Sequence, residues 1–351
     1  MQQVPMFCGK DCGGDACPLI AEIEDGRVRR VFNNPAGGKT LKGCRRGLSL
    51  PDFQYAPDRL VKPLIRVGER GAGQFREATW DEALSLTADR LGEIRAKYGL
   101  QSVFNLAHLG SNGALHNTIL LAARFHNLFG GCAVMQGSYS NGAARFALPY
   151  MLGDCGAAAS GWDSATMQDS EMIILWGANV IDVRLGTDVT VHLLDAKRRG
   201  ATIVVVDPRR SATVKQADWH LPVRPGSDAA LMLAVLYVLF SEGLADRSFI
   251  EAHSFGFEQL EHYVLGQNGG QTAHTPQWAA PLCGIPADEI VRFAHAYAVA
   301  KPAMLFPGFS IQRVFAGEES YRLSVALQIA TGNFGQRGGS TGSMNNSLPR
   351  P

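Results

Sequence analysis

Apolar and polar residues alternate over residues 19–31, and the alternation is interrupted at Asp25-Gly26. This pattern is typical of a β-hairpin with a two-residue turn. In the segment 81–98, acidic residues follow a candidate N-cap, Thr79, and Gly99 comes directly after the segment. Such start and stop signals predict a helix. The chain therefore opens with an antiparallel strand pair and continues into helical structure.

Two short apolar runs, residues 171–177 and 201–207, flank a helical stretch at 187–199 that Gly200 ends. Strand, helix and strand in this order predict a βαβ unit in a parallel sheet. Ligands of such sheets bind at the carboxyl ends of the strands. The residues expected there are Trp176, Gly177 and Asn179 after the first strand, and Asp207 and Arg209 after the second.

The first helix of this unit is not opened by a Gly-x-Gly-x-x-Gly sequence, which argues against a nicotinamide site. The carboxylate of Asp207 can accept from a ribose hydroxyl, although the same side chain would serve equally well as a helix cap. The longest apolar run, residues 229–240, has 12 residues and is too short to span a bilayer. It predicts a buried helix.

Composition describes a globular protein of two or three domains, with 351 residues, 46% hydrophobic residues and a net charge of +1. This charge gives no reason to expect nucleic acid or an anionic membrane as a partner. The first residues show neither a hydrophobic signal segment nor a twin-arginine leader. We therefore expect a cytoplasmic location, with membrane association only through partners.

Three cysteines, Cys8, Cys12 and Cys17, lie within ten residues, and Cys44 follows after 26 more. Three close thiolates and a distant fourth suit the corners of a four-iron cluster. A structural zinc site more often uses two close pairs, and buried thiols without a metal are the third possibility. Arg46 is either a solvated charge or a cation that raises the potential of the cluster and bridges it to a second cofactor.

Residues 137–144 combine glycines, serines and alanines before a helical segment. By composition alone, a hydroxyl such as that of Ser140 in this position is most often a helix cap. A role in chemistry is the alternative at this stage.

Five motifs follow one another along the chain: the cysteine loop, a Cys-x-Arg-Gly sequence, Tyr-x-Pro-Asp-Arg-Leu, Pro-Leu and Trp-Asp-Glu-Ala. They are found at residues 8–17, 44–47, 55–60, 63–64 and 80–83. Together with later matches at residues 217–228, this order resembles the amino-terminal part of the molybdopterin oxidoreductases of the dimethyl sulfoxide reductase family.

The resemblance implies a metal ligand. In dimethyl sulfoxide, trimethylamine N-oxide and biotin sulfoxide reductases, a serine in a setting like that of Ser140 binds molybdenum, whereas formate dehydrogenases carry cysteine or selenocysteine there. Cys132 is close enough in sequence to be a rival ligand. A serine at this place favours oxygen-atom transfer.

The resemblance also implies two cofactors: a 4Fe-4S cluster on the four cysteines, and molybdenum or tungsten held by two molybdopterin guanine dinucleotides. Arg46 would lie between cluster and pterin, and the turn with Gly226 and Asp228 would bind a guanine. The residues expected to line the pterin are Gly308, Phe309, Gln312 and Arg313.

The expected fold is α/β, with a small iron-sulfur β domain followed by interleaved α/β domains that contain a parallel, Rossmann-like sheet. The predicted domains are a cluster domain (1–56), an incomplete α/β domain near the metal (57–155 plus 304–351) and a dinucleotide-binding domain (156–303). Because members of this family are about twice as long, we expect the chain to be the amino-terminal portion of a catalytic subunit.

The expected function is molybdenum-dependent reduction of a small S-oxide or N-oxide in anaerobic respiration. Electrons would arrive through the cluster from an iron-sulfur subunit, with a membrane anchor subunit as a further partner. Two alternatives remain open: a non-redox hydratase or hydroxylating enzyme with the same cofactors, and a non-catalytic electron-transfer module that carries only the cluster.

Overall fold

The computed structural model describes residues 1–9, 17–107, 117–137, 139–153, 163–183, 187–269 and 272–340. The described residues fall into two compact units, with the division after Gln136. The predicted division into three domains remains a prediction.

The first unit contains seven strands and four helices among its described residues. They are β1 (Gln2–Phe7), β2 (Pro18–Glu24), β3 (Arg27–Asn33), α1 (Arg45–Leu48), α2 (Leu50–Gln54), β4 (Leu64–Arg66), β5 (Phe75–Glu77), α3 (Trp80–Tyr98), β6 (Phe104–Asn105), α4 (Thr118–Phe129) and β7 (Ala133–Val134).

Strands β1, β2 and β3 form an antiparallel sheet in that order. The turn between β2 and β3 has positive φ at both central residues, 50° at Asp25 and 71° at Gly26. This geometry matches the twist of a two-residue hairpin, so the predicted hairpin is confirmed. Leu19, Ala21 and Val31 supply its small buried core.

Local signals also set the ends of α3. Thr79 Oγ1 accepts from the backbone N–H of Glu82 at 3.2 Å, and Gly99 ends the helix with φ of 82°. Both features were predicted. Farther along, β6 and β7 pair in parallel on either side of α4, which makes a second, very short βαβ unit.

The second unit contains four strands and nine helices among its described residues. They are α5 (Gly142–Leu152), β8 (Met172–Trp176), α6 (Val180–Val183), α7 (Thr187–Arg198), β9 (Thr202–Val206), β10 (Trp219–Leu221), α8 (Asp228–Ser241), α9 (Arg247–His253), α10 (Phe257–Leu265), α11 (Pro276–Cys283), α12 (Ala287–Val299), β11 (Ala303–Pro307) and α13 (Gly317–Ala330).

A four-stranded parallel sheet, in the order β10-β9-β8-β11, forms the centre of this unit. All five side chains of β8 are buried, as expected for a strand covered on both faces. The prediction of a parallel sheet and of strands β8 and β9 is confirmed. Strand β11 was not predicted, and the proposed domain boundary between residues 303 and 304 falls inside it.

Alternate side chains of the sheet pack against different helical layers. Ile174 and Trp176 belong to the large core that includes α8, α12 and α13, whereas Ile173 and Leu175 pack with α7 on the other face. This period of two gives helices on both sides of the sheet. Helix α8, predicted as a buried helix, has nine buried residues.

None of the helices in the described ranges combines the length and the apolar character needed to cross a bilayer.

A polar junction joins α9, β11 and α13. Asp246 caps α9 by accepting from Phe249 N–H at 3.1 Å and binds Lys301 Nζ at 2.6 Å. Its own N–H donates to Ala330 O at 2.8 Å. The hydrogen bond from Lys301, with those from Ser248 and Phe249, lowers the pKa of Asp246 to about 2.

This junction predicts a specific loss of stability in acid. A carboxyl whose folded pKa is lowered stabilises above its unfolded pKa of 3.8, and that stability is lost as pH falls through about 2. Asp246→Asn keeps a cap acceptor but removes the charge, so it should cost about 0.5–1 kcal/mol at pH 7 and progressively less towards pH 2. Asp246→Ala should lose a further ~1 kcal/mol at any pH, because the cap is gone. Urea unfolding at a series of pH values measures both, and a pH-independent cost of Asp246→Asn would contradict the charge assignment.

Candidate functional site

The loops that follow β8 and β11 touch at the carboxyl edge of the parallel sheet. Gly308 N–H donates to Trp176 O at 2.8 Å, and Ser310 Oγ donates to Gly177 O at 2.7 Å. A Cβ added to Gly308 would lie 2.0 Å from Gly177 O, which no side chain can tolerate. Glycine at 308 therefore permits two of the predicted cofactor-binding segments to lie side by side.

Asp228, the predicted guanine acceptor, lies under this edge in the first turn of α8. Its Oδ1 accepts from Trp176 Nε1 at 2.9 Å, and Asp228 is only 6% exposed. Burial raises the pKa of the Asp228 carboxyl, and the nearby charge of Asp207 adds to the effect. The indole N–H is thus the observed partner of a carboxyl that is costly to ionise.

Asn179 and Asp207 organise the loops in which they lie. Asn179 Oδ1 accepts from Thr213 Oγ1 at 2.7 Å, and its Nδ2 donates to Asp182 at 2.9 Å. Asp207 Oδ1 accepts from the backbone N–H of Arg209 at 2.8 Å. No helix begins at Asp207, so the helix-cap alternative is wrong, and the carboxylate instead closes a turn in the loop after β9. These bonds fix the loops that follow β8 and β9.

Gly226 borders a different space from the sheet edge. It lies in a turn with φ of 83° and lines a cavity of about 1290 Å³. The cavity has an apolar, aromatic wall that includes Phe255, Trp278 and Phe315. The predicted cofactor-binding residues are thus not gathered at one surface: most lie at the sheet edge, and Gly226 opens onto this cavity.

Ser140 lies on an exposed turn just before α5. Arg313 Nε donates to Ser140 O at 3.0 Å, and Gln312 Oε1 accepts from Ala144 N–H at 3.0 Å. A Cβ placed at Gly137 or Gly142 meets no described atom within 4 Å. The structure thus brings three predicted site residues, Ser140, Gln312 and Arg313, into one place.

The cysteines of the first unit show a comparable local arrangement. Cys8 N–H donates to Cys17 O at 2.9 Å, and a Cβ at Gly47 would lie 3.1 Å from Cys8 Sγ. Cys44 is the N-cap of α1, which contains Gly47 and the exposed Arg46. Cys12 lies outside the described residues.

A cluster would keep its cysteine sulfurs farther apart than a single ion does, because the iron-sulfur cage lies between them. Within the part of the chain that the structure describes, no group of three or more His, Cys, Asp or Glu side chains is arranged to hold a single metal ion. The cluster and its ligand set stay a prediction.

Residues 59–350 match the molybdopterin oxidoreductase family, and the chain therefore belongs to that family. It is similar to dimethyl sulfoxide reductase DmsA of Haemophilus influenzae, with 34% identity over 98% of this chain and 46% of the relative. It is also similar to the dimethyl sulfoxide/trimethylamine N-oxide reductase of Cereibacter sphaeroides, with 32% identity over 92% of this chain and 41% of the relative. The resemblance to the dimethyl sulfoxide reductase family is confirmed.

A solved structure agrees with the fold. Acetylene hydratase from Pelobacter acetylenicus superposes with a TM-score of 0.70 and 25% identity, covering 94% of this chain and 44% of the hydratase. The chain spans less than half the length of these relatives. Molybdopterin is the cofactor that family membership implies.

Sequence reasoning missed two tyrosines of the site. Tyr139 OH donates to Arg313 O at 2.6 Å, and the buried Tyr321 donates to the carbonyls of Pro307 and Gly308 at 3.2 and 3.1 Å. Their partners are distant in sequence or lie in an irregular segment. The only signal for Tyr139 was its position beside Ser140.

The Trp176–Asp228 pair predicts an unusual dependence of stability on pH. Because burial raises the pKa of folded Asp228 above 3.8, folding becomes less favourable as pH rises from about 4 towards the folded pKa. Asp228→Asn keeps an acceptor for the indole and cannot ionise, so it should be more stable than wild type at pH 7 and should lose this slope. The exposed control Asp58→Asn should leave the slope unchanged. Trp176→Phe should cost about 1–3 kcal/mol, because it leaves a buried carboxyl without its donor. Urea unfolding between pH 4 and 8 tests this; wild type and Asp228→Asn with parallel profiles would refute it.

Proposed function

We propose that this chain is the cofactor-binding part of a molybdenum-dependent reductase that removes an oxygen atom from a small S-oxide or N-oxide. The observation that carries the proposal is the Ser140 turn, which is fixed against Gln312 and Arg313 with open space at Gly137 and Gly142. Relatives named as dimethyl sulfoxide and trimethylamine N-oxide reductases support the choice of substrate class.

The metal, when bound by two molybdopterin guanine dinucleotides, would supply the two-electron chemistry of oxygen-atom transfer. Ser140 is the protein ligand in this proposal, because a hard alkoxide oxygen suits a high-valent metal better than a soft thiolate does. Cys132 is the rival candidate for this ligand. Gly308 and Phe309 would lie along the pterin.

We further propose that the carboxyl edge of the sheet is a Rossmann-like nucleotide site. Trp176, Gly177 and Asn179 follow β8, and Asp207 and Arg209 follow β9, at the edge where ligands of parallel sheets bind. Carboxylate oxygens accept from the N–H groups of guanine. Since Asp228 Oδ1 accepts from the indole of Trp176, base recognition would use its other oxygen.

Electrons would reach the metal through a 4Fe-4S cluster on Cys8, Cys12, Cys17 and Cys44, with Arg46 between cluster and pterin. In this proposal residues 1–56 form the cluster domain, 156–303 bind the dinucleotide, and 57–155 with 304–351 contribute to the metal site. The electron donor would be an iron-sulfur subunit.

The cluster assignment predicts about four iron atoms per chain in protein prepared without oxygen. Cys44→Ala should lower both the iron content and the visible absorbance of the cluster, because one corner of the cage loses its thiolate. Cys283→Ala, which changes a buried cysteine of the second unit, should leave both unchanged. Stoichiometric zinc in place of iron would show that the site is structural and not a cluster.

The ligand assignment predicts that Ser140→Ala lowers turnover of dimethyl sulfoxide with a viologen donor by more than about a hundredfold. Changing even a partner of a metal ligand commonly costs about 10- to 100-fold. The fit to X-ray absorption at the metal edge should contain one oxygen ligand fewer than in wild type, while the iron content stays at the wild-type level. The same losses in Cys132→Ala instead would identify Cys132 as the ligand, and turnover of a non-redox substrate alone would contradict the reductase proposal.

A further inference from the structure

Two hydrogen bonds clamp the Ser140 turn to a segment more than 170 residues later in the chain. Arg313 Nε donates to Ser140 O at 3.0 Å, and Tyr139 OH donates to Arg313 O at 2.6 Å. Arg313 takes part in both bonds, once through its side chain and once through its backbone. The turn is therefore held at two successive residues by one partner.

A third bond fixes the helix that follows the turn. The N-cap of α5, Asn141, makes no side-chain capping bond, and Gln312 Oε1 instead accepts from Ala144 N–H at 3.0 Å. A first-turn N–H needs an acceptor. Here the acceptor is supplied from the segment after β11 by a side chain that is only 4% exposed.

Gln312 is itself held by the core. It is 4% exposed and lies close to the buried Tyr321, whose hydroxyl donates to Gly308 O at 3.1 Å. Buried polar side chains thus extend from the end of β11, at Tyr321 and Gln312, to the first turn of α5. Burial raises the pKa of Tyr321, so its hydroxyl stays protonated and remains a donor at physiological pH.

We propose that Tyr139, Gln312 and Arg313 form a brace that positions Ser140 for the metal. The identity of Ser140 as the ligand rests on the proposed function. A single rotatable bond separates the serine backbone from Oγ, so the placement of the backbone largely sets where the oxygen can reach. Metal–ligand distances vary by only about 0.2 Å in well-formed sites. Gln312 and Arg313 therefore act through the Ser140 turn, in addition to any contact with the pterin.

Hydrogen exchange on the full chain, before any cofactor is bound, tests the brace. Tyr139→Phe and Arg313→Met each remove one clamp bond, and amides of residues 139–144 should exchange about two- to tenfold faster. Gln312→Met should accelerate the amide of Ala144 most. Tyr150→Phe, an equally exposed tyrosine on α5, and Arg337→Met, which loses a bond from Nε to Asp169, should not affect these amides. Unchanged exchange in Tyr139→Phe and Arg313→Met, two variants at exposed positions, would overturn the brace.

The cofactor-loaded protein tests positioning. In Tyr139→Phe and Arg313→Met, X-ray absorption at the metal edge should show a weaker serine-oxygen contribution or a longer metal–oxygen distance. The kcat should fall, with little change in the KM for dimethyl sulfoxide. Faster exchange with an unchanged oxygen signal would overturn the positioning role. A wild-type spectrum without a serine-type oxygen would overturn the ligand assignment, and with it the role of the brace at the metal. The exchange data decide the brace itself independently of that result.

Discussion

Backbone contact between the ends of β8 and β11 is the constraint on which the proposed site depends. Gly308 approaches Gly177 so closely that a Cβ would overlap the carbonyl oxygen. This contact lets the loop after β11 run beside the loop after β8, and the next residues, 310–313, then reach the Ser140 turn. A larger residue at 308 would separate the carboxyl edge of the sheet from the segment that holds the turn.

The parts of the fold that sequence could predict are those with local causes. Asp25-Gly26 specifies the hairpin, Thr79 and Gly99 set the ends of α3, and the apolar run of α8 indicates its burial. Strand β11 was missed because it has only five residues and ends in Pro307. It forms a strand by pairing with β8, about 130 residues earlier in the chain. Local signals cannot report such a partner.

The features of the candidate site also divide into those that the sequence could predict and those that depend on tertiary packing. Motif order identified the family and selected Ser140, Gln312 and Arg313, which the structure brings together. The bonds between them could not be read from the sequence, because Gln312 caps α5 from 168 residues away. Asp228 shows the complementary case: its chemistry suggested an acceptor for a ligand, but its partner inside the protein, Trp176, depends on tertiary packing.

The long sequence separation between the Ser140 turn and its partners Gln312 and Arg313 has a consequence for biosynthesis. Ser140 leaves the ribosome 173 residues before Arg313. At ordinary elongation rates, this interval is roughly 10 to 35 seconds. During this time the turn lacks its clamp bonds, and the nascent chain exposes it without the segment that defines its geometry. If Ser140 is the metal ligand, as proposed, its turn therefore reaches the shape described above only after residues 312 and 313 have been synthesised and have joined it.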